Sequence, residues 1–367
     1  MRFNFLHTCL LCLSLILGCT KEEPLQKELV VPNIEDFQLS QMSIVFAGDY
    51  MQHEPQLNAA LYGSGTYDFK PTLRYMDSLW SSADFVAVNF ETTIGNGEYT
   101  GYPTFKSPAE SMSALKECGV DIIFTANNHC CDGGGRGLAR TIECADSLGL
   151  MHIGTYRDSS EYEQNRVLFV EKSGIKVALL NYTYGTNGIR VPKGRVVSLI
   201  DTVRIKQELA LASSADVKIV SIHWGWEYNR EENREQRLLA AKMREWGADV
   251  VMGSHPHVVQ PTELYMDSEG YVTGAVFYSL GNFISNQRDQ YRDGGLCVKL
   301  YINRGIDGEI FYGVESVPVW VHKYVNEGKY RYQVLPEYVR GKVQMSPYES
   351  YLFERSMSDN ELHITIF

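Results

Sequence analysis

The chain has 367 residues, 44% of them apolar, and a formal net charge of −11. That length supports a substantial core in one large domain or two modest ones. The acidic balance offers no electrostatic footprint for nucleic acid and no global steering toward an anionic polymer, so an anionic substrate would need a local cation such as a metal.

Residues 1–18 read as a targeting segment. Arg2 is its positive end, residues 5–17 are an apolar stretch too short for a comfortable membrane span, and Leu17-Gly18-Cys19 closes it. A small residue followed by Cys, in place of a small-x-small cleavage site, resembles a bacterial lipobox. The resemblance implies cleavage before Cys19 and lipid on that residue, hence membrane attachment through Cys19. No Asp follows the Cys, and Lys21-Glu22-Glu23 resembles a surface-export signal. The expected location is the outer membrane, facing the periplasm or the cell surface. Residues 19–41, polar and containing Pro24 and Pro32, read as a tether.

From residue 42 strand and helix patterns alternate. Apolar, β-branched runs predict a strand over 43–47, a helix over 71–80 that starts at Pro71, and a strand over 85–88. A helix over 108–118, a strand over 121–125 and a helix over 137–148, stopped by Gly149, follow. Then come a strand over 176–181, a helix over 202–211, a strand over 218–222, a helix over 231–246 and a strand over 250–252. Past that point the helical pattern fades. Residues 275–279, 296–302 and 311–321 read as antiparallel strands, with 303–308, containing Gly305 and Asp307, as a hairpin connection. The expectation is an α/β domain over 42–290 and a β-rich extension over 291–367 packed on it.

Of the eight cysteines, Cys9 and Cys12 fall in the leader and Cys19 takes the lipid, leaving Cys118, Cys130, Cys131, Cys144 and Cys297. An odd number with no CxxC spacing argues against a disulfide framework. Cys130 and Cys131 read as buried small residues beside His129.

Six motifs carry chemistry: Gly48-Asp49, Asn89-Phe90-Glu91, Asn127-Asn128-His129, His223-Trp224-Gly225, Gly253-Ser254-His255-Pro256-His257 and Gly281-Asn282-Phe283. Most follow an apolar run, which places them at strand ends, where α/β folds build sites. Carboxylate, amide oxygen and imidazole are ligands that intermediate divalent metals accept. Gly48 allows a close backbone turn. Asn128 offers an amide oxygen, while His129 is free for acid–base work. His255 and His257, at i and i+2, fall on the same side of an extended segment.

In this order, Asp49, Glu91, Asn128-His129, His223-Trp224-Gly225-Trp226-Glu227-Tyr228, His255-Pro256-His257 and Ser279-Leu280-Gly281-Asn282-Phe283 resemble the signature of the CapA family of capsule-synthesis proteins. That family is tied to poly-γ-glutamate and to the calcineurin-like metallophosphatase superfamily. The resemblance implies a four-layer αββα sandwich with its site at the top edge. It implies that Glu91 bridges two metals, that Asn128, His223 and His255 complete one metal site, and that Asp49 and His257 form the other. His129 matches the histidine that protonates a leaving group. The cofactor would be one or two divalent ions of Mn, Fe or Zn. This chain departs from the pattern at Met51, where the phosphatases place a second ligand; His53 is no obvious substitute. Glu91 stands where the phosphatases have Asp.

Lys106, Trp224, Glu227, Tyr228 and Asn282 are candidate substrate contacts. Each has a plain alternative, as a solvated lysine or as half-buried aromatics and polar turn residues. Arg288 and Arg292 could clamp a carboxylate or phosphate; a mobile surface loop is the alternative. Three functions fit. One is a lipid-anchored metallohydrolase acting on an envelope polymer or peptide-like substrate, with His129 as general acid, alongside other capsule-synthesis proteins. The second is a metal-independent epimerase-like enzyme with Asp49 and His257 as its acid–base pair. The third is a non-catalytic scaffold for capsule assembly or export.

Overall fold

The computed structural model describes residues 38–63 and 65–367. The leader, Cys19 and the tether up to residue 37 lie outside the described residues. Strands from the whole described chain join one 15-stranded mixed sheet. On one side Gln38–Tyr50, Phe85–Phe90, Ile122–Phe124 and Met151–Ile153 run parallel. On the other Ile175–Thr183, Val217–His223, Val250–Ser254 and Val272–Phe277 run parallel. The antiparallel hairpin of Gly294–Gly305 and Ile310–Asn326 joins the two halves, pairing with the first strand on one side and with Val272–Phe277 on the other.

Alternation along each strand explains the layering. Ile44, Phe46, Ala87 and Phe124 face Val177, Leu179, Ile219 and Met252 in one cluster between the halves. The intervening residues Val45, Val86, Val88 and Ile123 pack outward on Leu73, Leu79, Met112 and Leu115 from helices. On the far face Leu180, Val220, Ile222 and Val251 pack on Ile205, Leu209, Ala240 and Met243. The result is the expected αββα sandwich, with the C-terminal ends of both parallel sets opening on one edge.

Two expectations are corrected and one is extended. The helix expected over 71–80 is two short ones, Lys70–Leu73 and Asp77–Trp80. Leu73, Met76 and Leu79 are all buried. Spaced by threes on a helix of about 3.6 residues per turn they would drift about 60° per step, and the break at 74–76 keeps them on one side. The helix expected from 231 starts at Arg234, because Asn233 caps it: its side chain accepts from Gln236 N, and Gln236 returns a bond to Asn233 N. The β-rich end also holds a helix that the sequence reading did not include. Pro347–Asp359 is a helix behind a Ser346–Glu349 capping box, and it buries Phe353 and Met357 against Trp320 and Leu335. The expected 303–308 connection is the turn between Gly305 and Ile310. Cys118, Cys130, Cys131, Cys144 and Cys297 are all free thiols.

That helix is held by a pH-sensitive contact. His322 Nε2 and Glu349 Oε1 lie 2.9 Å apart, and Gln333 donates to His322 Nδ1 at 3.0 Å. Bonds from Ser346 and from His322 depress the Glu349 carboxyl from 4.5 to about 2. Burial lowers His322 against a smaller opposing pull from Glu349. Both folded values lie below the unfolded ones, so both groups contribute stability that is present at neutral pH and lost on acidification. For Glu349 the window runs from about 4.5 down to about 2. Glu349→Gln is expected to flatten the fall in melting temperature across that window. Parallel pH profiles for the two proteins would remove the assignment.

A candidate metal centre where the two half-sheets meet

Each motif residue comes from the C-terminal end of a parallel strand or the turn after it. Asp49 is next to last in the first strand, Glu91 follows the second, and Asn128 and His129 follow the third. His223 ends one strand of the other half, and His255 and His257 follow its neighbour. All seven are buried. His255 and His257 do not converge through extended alternation. Both take left-handed backbone, with φ of 97° and 58°, and their rings stand 5.9 Å apart. Asn187, Tyr228 and Tyr291 around them also have positive φ. Such conformations cost about 1–3 kcal/mol each and tend to be kept where a site needs them.

Glu91 is the hub. It belongs with His255 and His257 in one group of donor atoms within 4.8 Å of one another, and with Asp49 and His223 in a second. Its Oε1 lies 3.5 Å from His223 Nε2 and 3.9 Å from His257 Nε2. Asn128 Oδ1 sits 2.9 Å from His223 Nε2, and Ser254 Oγ holds the other ring nitrogen at 2.9 Å. Asp49 is more committed than a free ligand would be. Its Oδ1 accepts from Asn89 Nδ2 at 2.8 Å, and its Oδ2 pairs with His257 Nδ1 at 2.9 Å. A carboxylate on Nδ1 orients Nε2 toward the centre, the arrangement that supports metal-binding imidazoles.

Burial lifts the Glu91 carboxyl well above its usual range, and the Asp49 charge adds to this. Burial drops His223 to about 3 and holds His255 well below its ordinary value, so both are neutral imidazoles. For Asp49 the burial penalty is outweighed by the bond and charge of His257, and the value falls. Burial opposes charge on His257 too, but Glu91 and Asp49 carry it up to about 9. With no metal bound the pair favours carboxylate on Asp49 and imidazolium on His257, and a cation taken up at His257 Nε2 would displace that proton.

The residues fit a divalent cation. Glu91 Oε1 and His255 Nδ1 are buried with no hydrogen-bond partner, although buried polar atoms are normally paired. Both belong to neutral or oxygen donors that such ions take. Met51 adds nothing: it is buried, and its amide donates to the Ile284 carbonyl.

His129 stands apart from these donors. Its Nδ1 lies 2.7 Å from Asp132 Oδ2, which also accepts from Phe105 N at 2.6 Å, and Phe105 meets the ring edge-on at 4.6 Å. A carboxylate is acceptor-only, so Nδ1 carries the proton and Nε2 is the nitrogen left to act. His53 packs edge-on to the same Phe105 at 5.0 Å.

Asn89 stood in a motif without a role, and three further residues escaped the sequence reading. Asn89 donates to Asp49 and, at 3.3 Å, to Glu91 Oε2, separating two carboxylates. Its i, i+2 spacing to Glu91 was the available signal. Asp132 was signalled only by its i+3 spacing from His129. Asn187 bonds Asn128 at 3.2 Å, and Tyr184 lies 4.5 Å from the His255 ring; neither carries a motif.

The substrate candidates divide. Trp224 is corrected: it is buried, its indole donates to the Tyr278 carbonyl at 2.9 Å and stacks on Tyr278, so it is core. Asn282 is fully buried and holds a loop rather than facing substrate. Lys106 is half-buried in the short strand Lys106–Ser107, and its ammonium makes no hydrogen bond or ion pair among the described residues. Tyr228 is brought there, with its ring 6.0 Å from His257, and Glu227 is exposed beside it. An open groove of about 590 Å³ runs from Tyr184 past Trp226 to Leu238 and Lys242.

Residues 43–287 match the model of the family described as bacterial capsule synthesis protein PGA_cap. The chain belongs to this family. Its relatives include the PGA biosynthesis protein CapA of Bacillus subtilis (strain 168), 26% identical over 313 residues, or 80% of this chain and 75% of that one. The capsule biosynthesis protein CapA of Bacillus anthracis is 27% identical over 278 residues, 71% of this chain and 64% of that protein. Among solved structures, 5'-nucleotidase from Candida albicans SC5314 covers 73% of this chain and 52% of its own, with a TM-score of 0.41 and 14% identity, too distant to transfer anything further. The PGA_cap match takes in all six motifs and stops before Arg288.

Proposed function

We propose that this PGA_cap protein acts in synthesis of a capsule or related envelope polymer through a metal-dependent, hydrolase-like centre. The observation that carries the reading is the pair of orphaned donors, Glu91 Oε1 and His255 Nδ1, grouped with His257 in a buried site. Relatives named for PGA and capsule biosynthesis support the substrate class, an anionic or peptide-like polymer. Glu91, His255 and His257 would hold a Mn, Fe or Zn ion, with His223 and Asn128 beside them. When bound, such an ion polarises a phosphoryl or carbonyl oxygen and lowers the pKa of water to about 7. Asp49 keeps His257 in place. As an imidazolium, with Nδ1–H held on Asp132, His129 would deliver its second proton from Nε2 to the leaving group and revert to the neutral ring. Tyr184 and Tyr228 would border the centre, their rings 4.5 Å from that of His255 and 6.0 Å from that of His257.

The test is elemental analysis of the purified protein beside His255→Ala. The expected result is about one equivalent of metal in the wild type, lost in the variant, with polymer cleavage lost in chelator. A protein that takes up no metal under any loading condition would overturn the reading. The lipid implied at Cys19 would place the centre at the outer membrane with other capsule-synthesis proteins. The same preparation, extracted from membranes, should carry acyl mass on Cys19; an unmodified chain in the soluble fraction would remove that attachment.

The 2.9 Å contact of Asp49 with His257 favours a second reading, a metal-independent epimerase-like pair that moves a proton. Activity that survives chelation but is lost in His257→Ala would select it.

A further inference from the structure

The loop after Gly281-Asn282-Phe283 is built more firmly than its position on the rim requires. The Asn282 amide nitrogen donates to Gln287 Oε1 and to the Arg292 carbonyl, both at 2.9 Å. One buried side chain thus fixes both ends of an arch from Gln287 to Arg292. Just beyond, Asp293 receives Trp320 Nε1 at 3.0 Å and Arg355 Nη2 at 2.7 Å. The arch docks on the Tyr228–Arg230 segment by two reciprocal contacts. The Arg292 guanidinium lies 4.3 Å over the Tyr228 ring, and that of Arg230 lies 4.2 Å over Tyr291. Both tyrosines hold left-handed backbone, with φ of 65° and 70°, which bulky residues rarely adopt. A cation is therefore kept one aromatic ring away from His257, whose ring is 6.0 Å from that of Tyr228.

The three arginines here are not equivalent. Arg288 turns inward and donates to the Val321 carbonyl at 2.6 Å. Arg230 donates to the Asp359 carbonyl at 2.9 Å. Arg292 instead pairs with Asp289 of its own arch, a side chain that is 74% exposed. Exposed ion pairs contribute little, so an arriving anion can replace Asp289 at small cost. Glu227, exposed on the same rim, disfavours anions arriving from its side and so orients a chain that binds.

We propose that Arg292, held against Tyr228 by the arch that Asn282 pins, recognises a carboxylate or phosphate oxyanion on the polymer unit next to the bond presented to the centre. The proposal rests on the reading of this centre as a site for an envelope polymer. The planar guanidinium fork fits either oxyanion through two parallel bonds. Arg292 lies outside the segment that matches the family model, residues 43–287, so it is suited to tuning specificity rather than shared chemistry.

The test is calorimetric titration of the full chain with three oligomers: γ-linked glutamate, glycerol phosphate and a neutral glucan. Arg292→Ala is expected to weaken binding of an anionic oligomer roughly 10- to 100-fold. Arg292→Lys should restore part of it, and Asp289→Asn should tighten it about 2- to 5-fold by removing the competitor. The neutral glucan should bind no better to wild type than to Arg292→Ala. Stronger Arg292-dependent binding of the glutamate oligomer assigns a carboxylate, and of the glycerol phosphate oligomer a phosphate. Equal anion affinity in wild type and a stably folded Arg292→Ala overturns the proposal, as does binding of neither anionic oligomer. Should Arg292→Ala fail to fold, Asp289→Asn decides, and absence of tightening overturns it. The readout is binding, so a protein without metal or turnover can still pass, and the two readings fail separately.

Discussion

His129→Ala is expected to lower turnover roughly 10²- to 10⁴-fold, the usual worth of a positioned general acid. Metal content should not change, because His129 belongs to neither group of candidate ligand atoms, whereas the melting temperature should fall, because the buried Asp132 carboxylate loses a partner. Geometry gives the reason for the assignment. Asp132 accepts from His129 Nδ1 at 2.7 Å and from Phe105 N at 2.6 Å, and Phe105 packs against the ring edge-on. The imidazole is thereby fixed in orientation, with Nδ1–H on Asp132, so that the second proton of the imidazolium is carried on Nε2. Asp132→Asn should also lower turnover, by less, since an amide can present a donor where Nδ1–H needs an acceptor. Unchanged turnover in His129→Ala, with the protein folded and metallated, would leave the proton donor elsewhere and send the search to His53 and His257.

Gly48→Ala is expected to destabilise the fold by about 3 kcal/mol or more, at or beyond the upper end for overpacking, and to disable the site with it. A Cβ at position 48 would lie 2.0 Å from the Gly281 carbonyl oxygen and 3.1 Å from its carbon. These are main-chain atoms that cannot rotate aside. The same carbonyl accepts from Asp49 N at 3.0 Å, and Asp49 pairs with Asn282 in parallel register. Pushing the segments apart would move Asp49 away from His257 and shift the residue that pins the Arg292 arch. Gly63→Ala is the control: its Cβ would meet nothing within 4 Å, and no left-handed backbone is recorded there. The comparison is the denaturation midpoint of both variants against wild type. A Gly48→Ala protein as stable as Gly63→Ala would show that the strands separate at no cost. The glycine of the Gly-Asp motif is thus required by a close approach of two strands, whereas the sequence suggested a turn.

The six motifs were legible because each is local. An apolar run that ends in a polar ligand places that ligand at a strand end, and the parallel register then brings the ends to one edge. That is why Asp49, Glu91, Asn128 and His223 come to one edge, where His255 and His257 join them through left-handed backbone. The apolar runs likewise marked the central strands as buried, while the four layers were expected only from the family resemblance. What stayed hidden depends on contacts between distant segments. Asp132, Tyr184 and Asn187 resemble ordinary loop residues until the turn after Ile175–Thr183 folds over the centre.

The alternation of the central strands and helices, the lack of a disulfide framework and the residue types of the donor set follow from the sequence itself, since hydrophobic period and residue chemistry are properties of short segments. Tertiary structure alone decided the rest. It decided that Trp224 is core and not a substrate platform, because Tyr278 offers it a carbonyl and a ring to stack on. It placed the hairpin of Gly294–Gly305 and Ile310–Asn326 between the two half-sheets, because its strands find partners on both sides. It made Asp49 the support of His257 and Asn282 the pin of a loop, because a buried polar atom takes whichever partner the fold brings within reach.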